Sequence, residues 1–539
     1  MAMAPPILWS IAGHDTSGGA GLSADQRAAD ALGVHLCPVV AAITAQHSQG
    51  VDVVFPVEAS VLDAQLAALC QDLPPAAIKT GLLGSVAAIE VLARWVDRLR
   101  ASKPSLPLVI DPVLGASSGG AAFANEAVLQ AYRRELLPRA TLITPNRAEA
   151  RRLLGQEPTH LGPDEDLPSL AASLRALGVQ AVVITGGDAP SHTNDHGQPW
   201  ALDWLDTPHA QGWLASPRID TPHTHGTGCT FASGAAAALA LGHVSADAVV
   251  LAKMLTHRAL QAGHPAGQGA GPVRAGGHRP PLGALPFLGL GHELPWQLNH
   301  GDGSGAPLFQ GFTPPEDGLY GILPNAELVA AAAQAGMRCL QLRHKALEGA
   351  PTHIEASARH CAAHGATLFI NDHWRLALAL PPLRGERLGL HLGQEDLLAL
   401  DDDARAQLLA ARSRVVLGLS SHSLWELARA AGCGASLIAC GPVQPTTTKD
   451  MPWRPQGEHN LRFWTAHSPA PVVAIGGLLH PAELQSFAAC QPAALCVVRA
   501  LGDTPEGIAD RLPALRQAVA FGRQTLHATP SPDLPHPVL

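Results

Sequence analysis

The chain contains no CxxC pair and no metal-finger spacing among its nine cysteines, which leaves reduced thiols of the cytoplasmic kind. No apolar run reaches the roughly 18 residues of a membrane helix. The nearest approach, FASGAAAALALG at 231–242, is too short and too rich in Ala and Gly. Charged residues make up only 15% of the chain, the net charge is −9, and Lys and Arg are scattered, so there is no basic stripe for nucleic acid. The amino terminus, MAMAPPILWSIAG, lacks a basic n-region and runs straight into strand-like residues; no signal peptide is expected. Hydrophobic residues are plentiful, at 47% of 539, which suits large cores and argues against extensive disorder. The length predicts about two to four domains, and the expectation is a soluble cytoplasmic enzyme with no membrane or nucleic-acid partner.

From Leu319 to Ala500 one pattern recurs eight times: a short apolar run, then polar or glycine residues, then an amphipathic stretch. The runs are 319–323, 339–342, 367–370, 388–392, 415–419, 436–440, 472–475 and 494–498. Unbroken apolar runs of this length read as strands buried on both faces. Eight of them alternating with helices predict a (β/α)8 TIM barrel. The polar residues fall at or just past the strand ends, where the active site of a barrel sits.

The first part also alternates strand and helix, with strand candidates at 7–12, 36–42, 108–111, 141–144 and 181–185. Its spacing is uneven and its glycines are clustered, so an α/β open sheet with helices on both faces fits better than a barrel. Residues 263–311 are crowded with Gly, Pro and His, and regular helix or strand is not expected there. The expected division is 1–278 as a first domain, 279–312 as linker, 313–522 as the barrel and 523–539 as a frayed tail.

In the first part, THGTGCT at 224–230 precedes the Ala-rich stretch. Gly226 and Gly228 let the backbone approach a ligand, and the N–H groups at a helix start form an anion hole for a phosphoryl group; the bland alternative is a tight cap. GHDTSGGAGLSAD at 13–25 follows a strand, but no GK[ST] follows it, which disfavours a P-loop. Asp111 at a strand end and Asn146-x-x-Glu149 are of the type that holds magnesium and nucleotide phosphates, although a strand-end Asp is often only a turn former.

IAGHDTSGGAGLSADQRAADALG, AAITAQHSQGV, IKTGLLG, DPV, LITPNRAEA and THGTGCT occur in one order between Ile7 and Val273. In that order they resemble the ribokinase-like superfamily, specifically hydroxymethylpyrimidine/phosphomethylpyrimidine kinase. The resemblance implies ATP-dependent phosphorylation of 4-amino-5-hydroxymethyl-2-methylpyrimidine and then of its monophosphate. It implies a pyrimidine pocket lined by Gly13, Asp25, Thr44 and Gln46, an ATP and Mg2+ side at Asp111, Asn146 and Glu149, and an anion hole at Gly226, Gly228 and Cys229. Cys229 stands where sugar kinases carry an Asp base; it serves either as a base with a lowered pKa or only through its backbone N–H. Thr185 stands where the family typically has Lys before the glycine pair, and Lys79 and Arg147 are the cations available to compensate. Alternatives for this half are a non-catalytic pyrimidine-binding module and a pyridoxine or pyridoxal kinase.

In the second part, period-two alternation puts Gln341, Arg343 and Lys345 on one side of a strand and its loop, as a polyphosphate clamp. Asp372 and Asp396 supply carboxylates from adjacent strand ends, a plausible Mg2+ pair, with helix capping as the bland reading of each. PTTTK at 445–449 offers hydroxyls, N–H groups and a cation, and Gly476-Gly477 before a helix suits a phosphate cup. QLRHK, HLGQED, PTTTK and the glycine pair together resemble thiamine phosphate synthase over roughly 317–518. That resemblance implies condensation of hydroxymethylpyrimidine diphosphate with 4-methyl-5-(2-phosphoethyl)thiazole. Gln341, Arg343, Lys345, Asn371, Ser420 and Lys449 would hold the pyrimidine diphosphate. Thr446, Thr448, Gly477, Val498 and Arg499 would hold the thiazole phosphate, with Arg499 where the family usually has Ser, and Asp372 and Asp396 would bind Mg2+. The rival is a thiazole tautomerase-like protein. The expectation for the whole chain is a bifunctional thiamine biosynthesis enzyme acting on small-molecule substrates, with a homo-oligomer and channelling left open.

Overall fold

The computed structural model describes residues 4–115, 123–156, 166–187, 192–194, 196–276, 282–302, 305–379, 388–446, 452–525 and 534–539. The chain divides into two compact units, Met1–Leu294 and Pro295–Leu539. Among the described residues no helix is long and apolar enough to cross a membrane.

The first unit is built on one eleven-stranded sheet. Its strands are β1 (Ile7–Asp15), β2 (His35–His47), β3 (Gly50–Pro56), β4 (Ala77–Thr80), β5 (Leu108–Ile110), β6 (Leu142–Ile143), β7 (Val182–Ile184), β8 (His192–Thr193), β9 (Pro199–Asp206), β10 (Gln211–Pro217) and β11 (Phe287–Leu288). Their order is β11-β10-β9-β7-β6-β5-β4-β1-β2-β3, with β8 beside β9. The strands from β7 across to β2 run parallel, and both margins are antiparallel. Leu8, Trp9, Ser10, Ile11 and Ala12 are all at most 1% exposed; successive residues point to opposite faces, so both faces of β1 are covered. Two groups of helices provide the cover. Gly21–Ala31, Thr227–Ala240 and Ser245–Gln261 pack on one another, and Ala59–Asp72 packs on Val86–Ser102. The open α/β sheet expected from the sequence is the one that forms, ending on β11 and β3.

The five strands read from the sequence are β1, β2, β5, β6 and β7, and the rest are additional. β4 escapes an apolar-run reading because Lys79 interrupts it, yet Lys79 is 0% exposed. The segment expected to lack regular structure departs from that expectation: Phe287–Leu288 pairs with β10, and Trp296–His300 is a short helix. Its apolar residues explain this, since Leu285, Phe287, Leu288, Leu290 and Trp296 are buried and outweigh the breakers around them.

The second unit is a closed parallel barrel of β12 (Leu319–Leu323), β13 (Cys339–Leu342), β14 (Thr367–Asn371), β15 (Leu388–Leu392), β16 (Val415–Ser421), β17 (Leu437–Cys440), β18 (Val472–Ala474) and β19 (Ala494–Val497), with β19 pairing back to β12. Its interior is filled by Tyr320, Ile322, Cys339, Phe369, Val416, Leu437, Val473, Ala494 and Cys496. Residues 534–539, expected to be frayed, are instead docked: Val538 is 3% exposed and its carbonyl accepts from the Arg454 N–H at 2.8 Å. A buried apolar side chain and paired backbone groups fix what composition alone marks as loose.

Candidate active sites

In the first unit the polar residues gather beyond the carboxyl ends of the parallel strands, the usual ligand edge of an open α/β sheet. Asp15 ends β1 and folds the glycine loop around itself. Its carboxylate accepts from Ser17 N (2.8 Å), Ser17 Oγ (2.7 Å), Gly19 N (3.1 Å) and Ala20 N (2.8 Å). It also accepts from His225 Nε2 at 2.9 Å, which ties the 13–21 loop to the 224–230 loop. Burial alone would raise the Asp15 pKa, but these bonds, His225 foremost, hold it well below the usual carboxylate range. Arg27 supports the same loop, donating to Gly18 O and Gly19 O at 3.0 Å each. Gly226 takes φ +85°, and a Cβ there would lie 2.3 Å from Gly19 O. Only glycine lets the two loops meet this closely. The helix Thr227–Ala240 then starts with no side-chain cap; Thr227 N donates to Thr224 O at 3.2 Å, and the N–H groups of Gly228 and Cys229 that follow are of the kind a helix start offers to an acceptor.

Gly13, Thr44 and Gln46 lie around this junction. Thr44 Oγ1 donates to His14 O at 3.0 Å, and Gln46 Nε2 is 3.3 Å from His225 Nε2. Asp25 is placed differently, beneath the loop and 0% exposed. It accepts from Ser10 Oγ (2.6 Å), Ser233 Oγ (2.7 Å) and Lys79 Nζ (2.8 Å). Lys79 Nζ is also 3.9 Å from Asp111 Oδ2. Burial would lower the Lys79 pKa; Asp25 foremost, with Asp111, keeps it above the ordinary value and charged. Lys79 is therefore committed inside the unit and is not a surface substitute for the cation missing at Thr185. Burial pushes the Asp111 carboxyl up to about 6, opposed by Lys79. Burial likewise pushes the Cys229 thiol up to about 12, with Lys79 pulling down and Asp111 and Asp25 adding to the rise. The net shift is upward, with burial its largest cause, so at neutral pH Cys229 is a thiol.

Asn146 and Glu149 satisfy each other as a capping box at the start of the helix Arg147–Leu153. Glu149 N donates to Asn146 Oδ1 at 2.9 Å and Asn146 N to Glu149 Oε2 at 3.0 Å, while Leu114 N reaches Glu149 Oε1 at 3.2 Å. Thr185 bridges to Asn146 at the adjoining strand end, and Arg147 is buried. Asp15, Arg27 and His225 were not singled out from the sequence. His225 lies within THGTGCT, but its partner is 210 residues away, and no local pattern connects them.

In the barrel, the buried interior residues fix which positions point inward. Counting by twos from Cys339, Phe369, Val416 and Cys496 reaches Gln341 and Arg343, Asn371, Ser420 and Val498. The candidate residues therefore continue the core's own inward series out to the rim. Gln341 Nε2 donates to Asn371 Oδ1 at 3.2 Å, and Val498 packs on the interior cluster. Lys345 and Arg499 are exposed beyond the strands, and Thr446 is half-buried. Asp372 is exposed and takes φ +66°, an uncommon backbone for a non-glycine residue. Asp396 is exposed, its carboxylate accepting from Gly393 N at 3.2 Å. Gly477 takes φ +76°, and a Cβ there would lie 2.4 Å from Gln444 Cβ, so the tight cup between strand ends needs glycine. Thr448 and Lys449 lie outside the described residues. His391, overlooked within HLGQED, belongs to the group: its Nε2 is 2.9 Å from Ser420 Oγ. Burial, with Arg343 adding, lowers its pKa to about 4 against the pull of Asp372, so it is neutral at pH 7.

An open sheet with a parallel centre and a glycine-lined loop junction, followed by a parallel barrel with polar residues at its rim, is an architecture suited to two enzymes that bind small phosphorylated ligands. The phosphomethylpyrimidine kinase family profile matches residues 15–274, and the thiamine monophosphate synthase profile matches 319–501. The thiamine biosynthetic bifunctional enzyme TH1 of Arabidopsis thaliana is 32% identical over 88% of this chain and 85% of its own length. The hydroxymethylpyrimidine/phosphomethylpyrimidine kinase of Synechococcus elongatus is 41% identical over 52% of this chain and all of its own length (100%). An ADP complex of Bacillus subtilis pyridoxal kinase is 34% identical, covering 50% of this chain and 97% of that one with a TM-score of 0.45. The chain belongs to the bifunctional thiamine biosynthetic enzymes, in which a hydroxymethylpyrimidine and phosphomethylpyrimidine kinase is fused to a thiamine phosphate synthase.

Proposed function

We propose that the first unit phosphorylates the pyrimidine alcohol and its monophosphate at the junction of the 13–21 and 224–230 loops. Gly13, Thr44 and Gln46 hold the pyrimidine, with Asp25 beneath them setting the charge of Lys79. The uncapped N–H groups at Gly226, Gly228 and Cys229 receive the charge that develops on the transferring phosphoryl group. ATP enters from the side of Asp111, Asn146 and Glu149. Asp111 would hold Mg2+ there, and its buried oxygen without a hydrogen-bond partner suits a cation. The thiol state of Cys229 favours its reading as a backbone donor over that of a base.

The second unit joins the resulting diphosphate to the thiazole phosphate. Gln341, Arg343, Lys345, Asn371 and Ser420 orient the pyrimidine diphosphate. Thr446, Gly477, Val498 and Arg499 receive the thiazole phosphate. The bond from the pyrimidine methylene carbon to the diphosphate oxygen breaks, and the thiazole nitrogen supplies the electron pair of the new C–N bond. Arg343 and Lys345 neutralise the departing charge, and the rim aligns the nucleophile. Asp372 and Asp396 would hold Mg2+, which supplies charge to the leaving diphosphate. No group of three or more His, Cys, Asp or Glu among the described residues is placed to hold a metal, so substrate oxygens and water would complete the shell. The nine free cysteines support a reducing, cytoplasmic setting.

The observation that carries this reading is the inward series that leads from the sealed barrel core to Gln341, Arg343, Asn371 and Ser420. Its test is a single reaction containing the pyrimidine alcohol, ATP, Mg2+ and thiazole phosphate, with thiamine phosphate the expected product. Product that appears only when the pyrimidine diphosphate is supplied would reduce the first unit to a binding module. Preferential phosphorylation of pyridoxine in competition would reassign its substrate.

A further inference from the structure

Residues 534–539 are joined to the synthase rim through a chain of hydrogen bonds. Val538 O accepts from Arg454 N at 2.8 Å. His536 N donates to Asn460 Oδ1 at 2.8 Å, and Asn460 Nδ2 donates back to His536 O at 3.0 Å. His536 Nε2 lies 3.0 Å from Gln456 O, and the His536 ring stacks on His459. Gln456 is 0% exposed and faces the rim. Its N–H donates to Pro442 O at 2.8 Å, and its Nε2 donates to His422 O at 2.6 Å, two residues beyond Ser420. Gly457 N donates to Val443 O at 3.0 Å. From there Val443 N reaches Ile475 O at 2.9 Å and Gln444 N reaches Gly476 O at 3.1 Å. The tail, the 454–460 segment, the Ser420–His422 turn and the glycine cup are thus one connected body.

We infer that His536 and Val538 are positioning residues for the synthase reaction. They clamp the 454–460 segment, which in turn fixes the register of Gln444 against Gly476-Gly477 and backs the turn after Ser420. Without the tail, the Asn460 amide oxygen loses the His536 N–H, its amide nitrogen keeps only Gln456 Oε1 at 3.0 Å, and the seat of Val538 opens to water. Buried polar groups left without partners rearrange to find them, and a small displacement of a phosphate cup is costly because alignment contributes much of the rate. The inference rests on the reading of Gly477 as part of the thiazole phosphate site.

The test uses the full chain, the chain ending at Thr525, and the full-length variants Val538→Asp and His536→Ala, with Gly477→Ala as the marker of the cup. The tail variants are expected to raise the KM for thiazole phosphate about tenfold or more, with kinase turnover of the same preparations unchanged. A synthetic peptide of residues 526–539 is expected to restore the KM of the shortened chain. If Gly477→Ala raises that KM while all three tail variants stay within about twofold of the parent, the tail proposal is overturned and the cup assignment stands. If Gly477→Ala leaves the KM unchanged, the cup assignment falls. A lowered Tm with unchanged KM in all three tail variants also overturns the proposal, because the tail would then contribute stability alone.

Discussion

Asp15, Asp25 and Lys79 of the first unit's site are matched by groups of their own unit before any substrate arrives; Arg343, Lys345 and Asp372 of the barrel rim are not. Asp15 takes its donors from its own loop and from His225, and Asp25 and Lys79 are both 0% exposed and paired. Arg343, Lys345 and Asp372, in contrast, make no ion pair with one another or with other described residues and lie partly or fully exposed. The contrast follows from chemistry. A kinase must keep a dry, fixed anion hole and has to assemble it from segments far apart in the chain. A synthase that receives a highly charged diphosphate can leave its cations in water, because the substrate itself completes the pairs.

The sharpest way to break this comparison is Lys79→Met. It leaves the Asp25 and Asp111 carboxyls buried without their cation, and removing one partner of a buried pair costs about 3–5 kcal/mol. Unfolding of the first unit at clearly lower denaturant and loss of kinase turnover are expected, with synthase turnover by the same chain retained. An unchanged unfolding midpoint would show that the pair is not the strut it is taken to be. Arg343→Ala is the mirror case. Its stability is expected to stay within about 0.5 kcal/mol of the parent. The KM for the pyrimidine diphosphate should rise about 10- to 100-fold through loss of a charge-assisted contact; a fall in Tm with unchanged KM would place Arg343 among structural residues.

The smallest expected effect is in pH dependence, where the units should respond with opposite sign. Asp111 is raised to about 6 by burial, so the folded first unit holds that proton more tightly than the unfolded chain. Its contribution to stability is full below the ordinary value of 3.8 and is lost as pH rises through about 6. His391 is lowered to about 4 by burial. Its contribution is full above the ordinary 6.5 and is lost as pH falls toward about 4. Unfolding followed separately for each unit between pH 4 and 6.5 should show one slope falling and the other rising, and Asp111→Asn should flatten the first. Parallel slopes would remove the electrostatic basis of the contrast.

The barrel was legible in the sequence because each strand is buried on both faces and therefore appears as an unbroken apolar run; all eight strands lie within two residues of the runs read. β4 was not legible because its interior lysine is neutralised by Asp25, 54 residues away. The β9–β10 hairpin was missed because its apolar runs are short, Asp203 interrupting β9 and β10 offering only Trp213-Leu214-Ala215, although both strands are largely buried. The glycine loops were visible as motifs, since their spacing is local. The ties between them, Asp15 to His225 and Asp25 to Ser233, span 210 and 208 residues and leave no trace in any window. Asp25 appeared as a pocket-lining residue for that reason, whereas the structure sets it beneath the loop.

The Ala-rich helix Thr227–Ala240 has a mechanical consequence. Its flank from Thr230 to Leu239 is buried and almost without long side chains, and a methyl added at Gly234 would meet Leu255 Cδ2 at 3.1 Å. Side chains this short have few rotamers through which to yield. The helix is therefore closely held along its length, and Gly226 at its start is set on a firmly packed support.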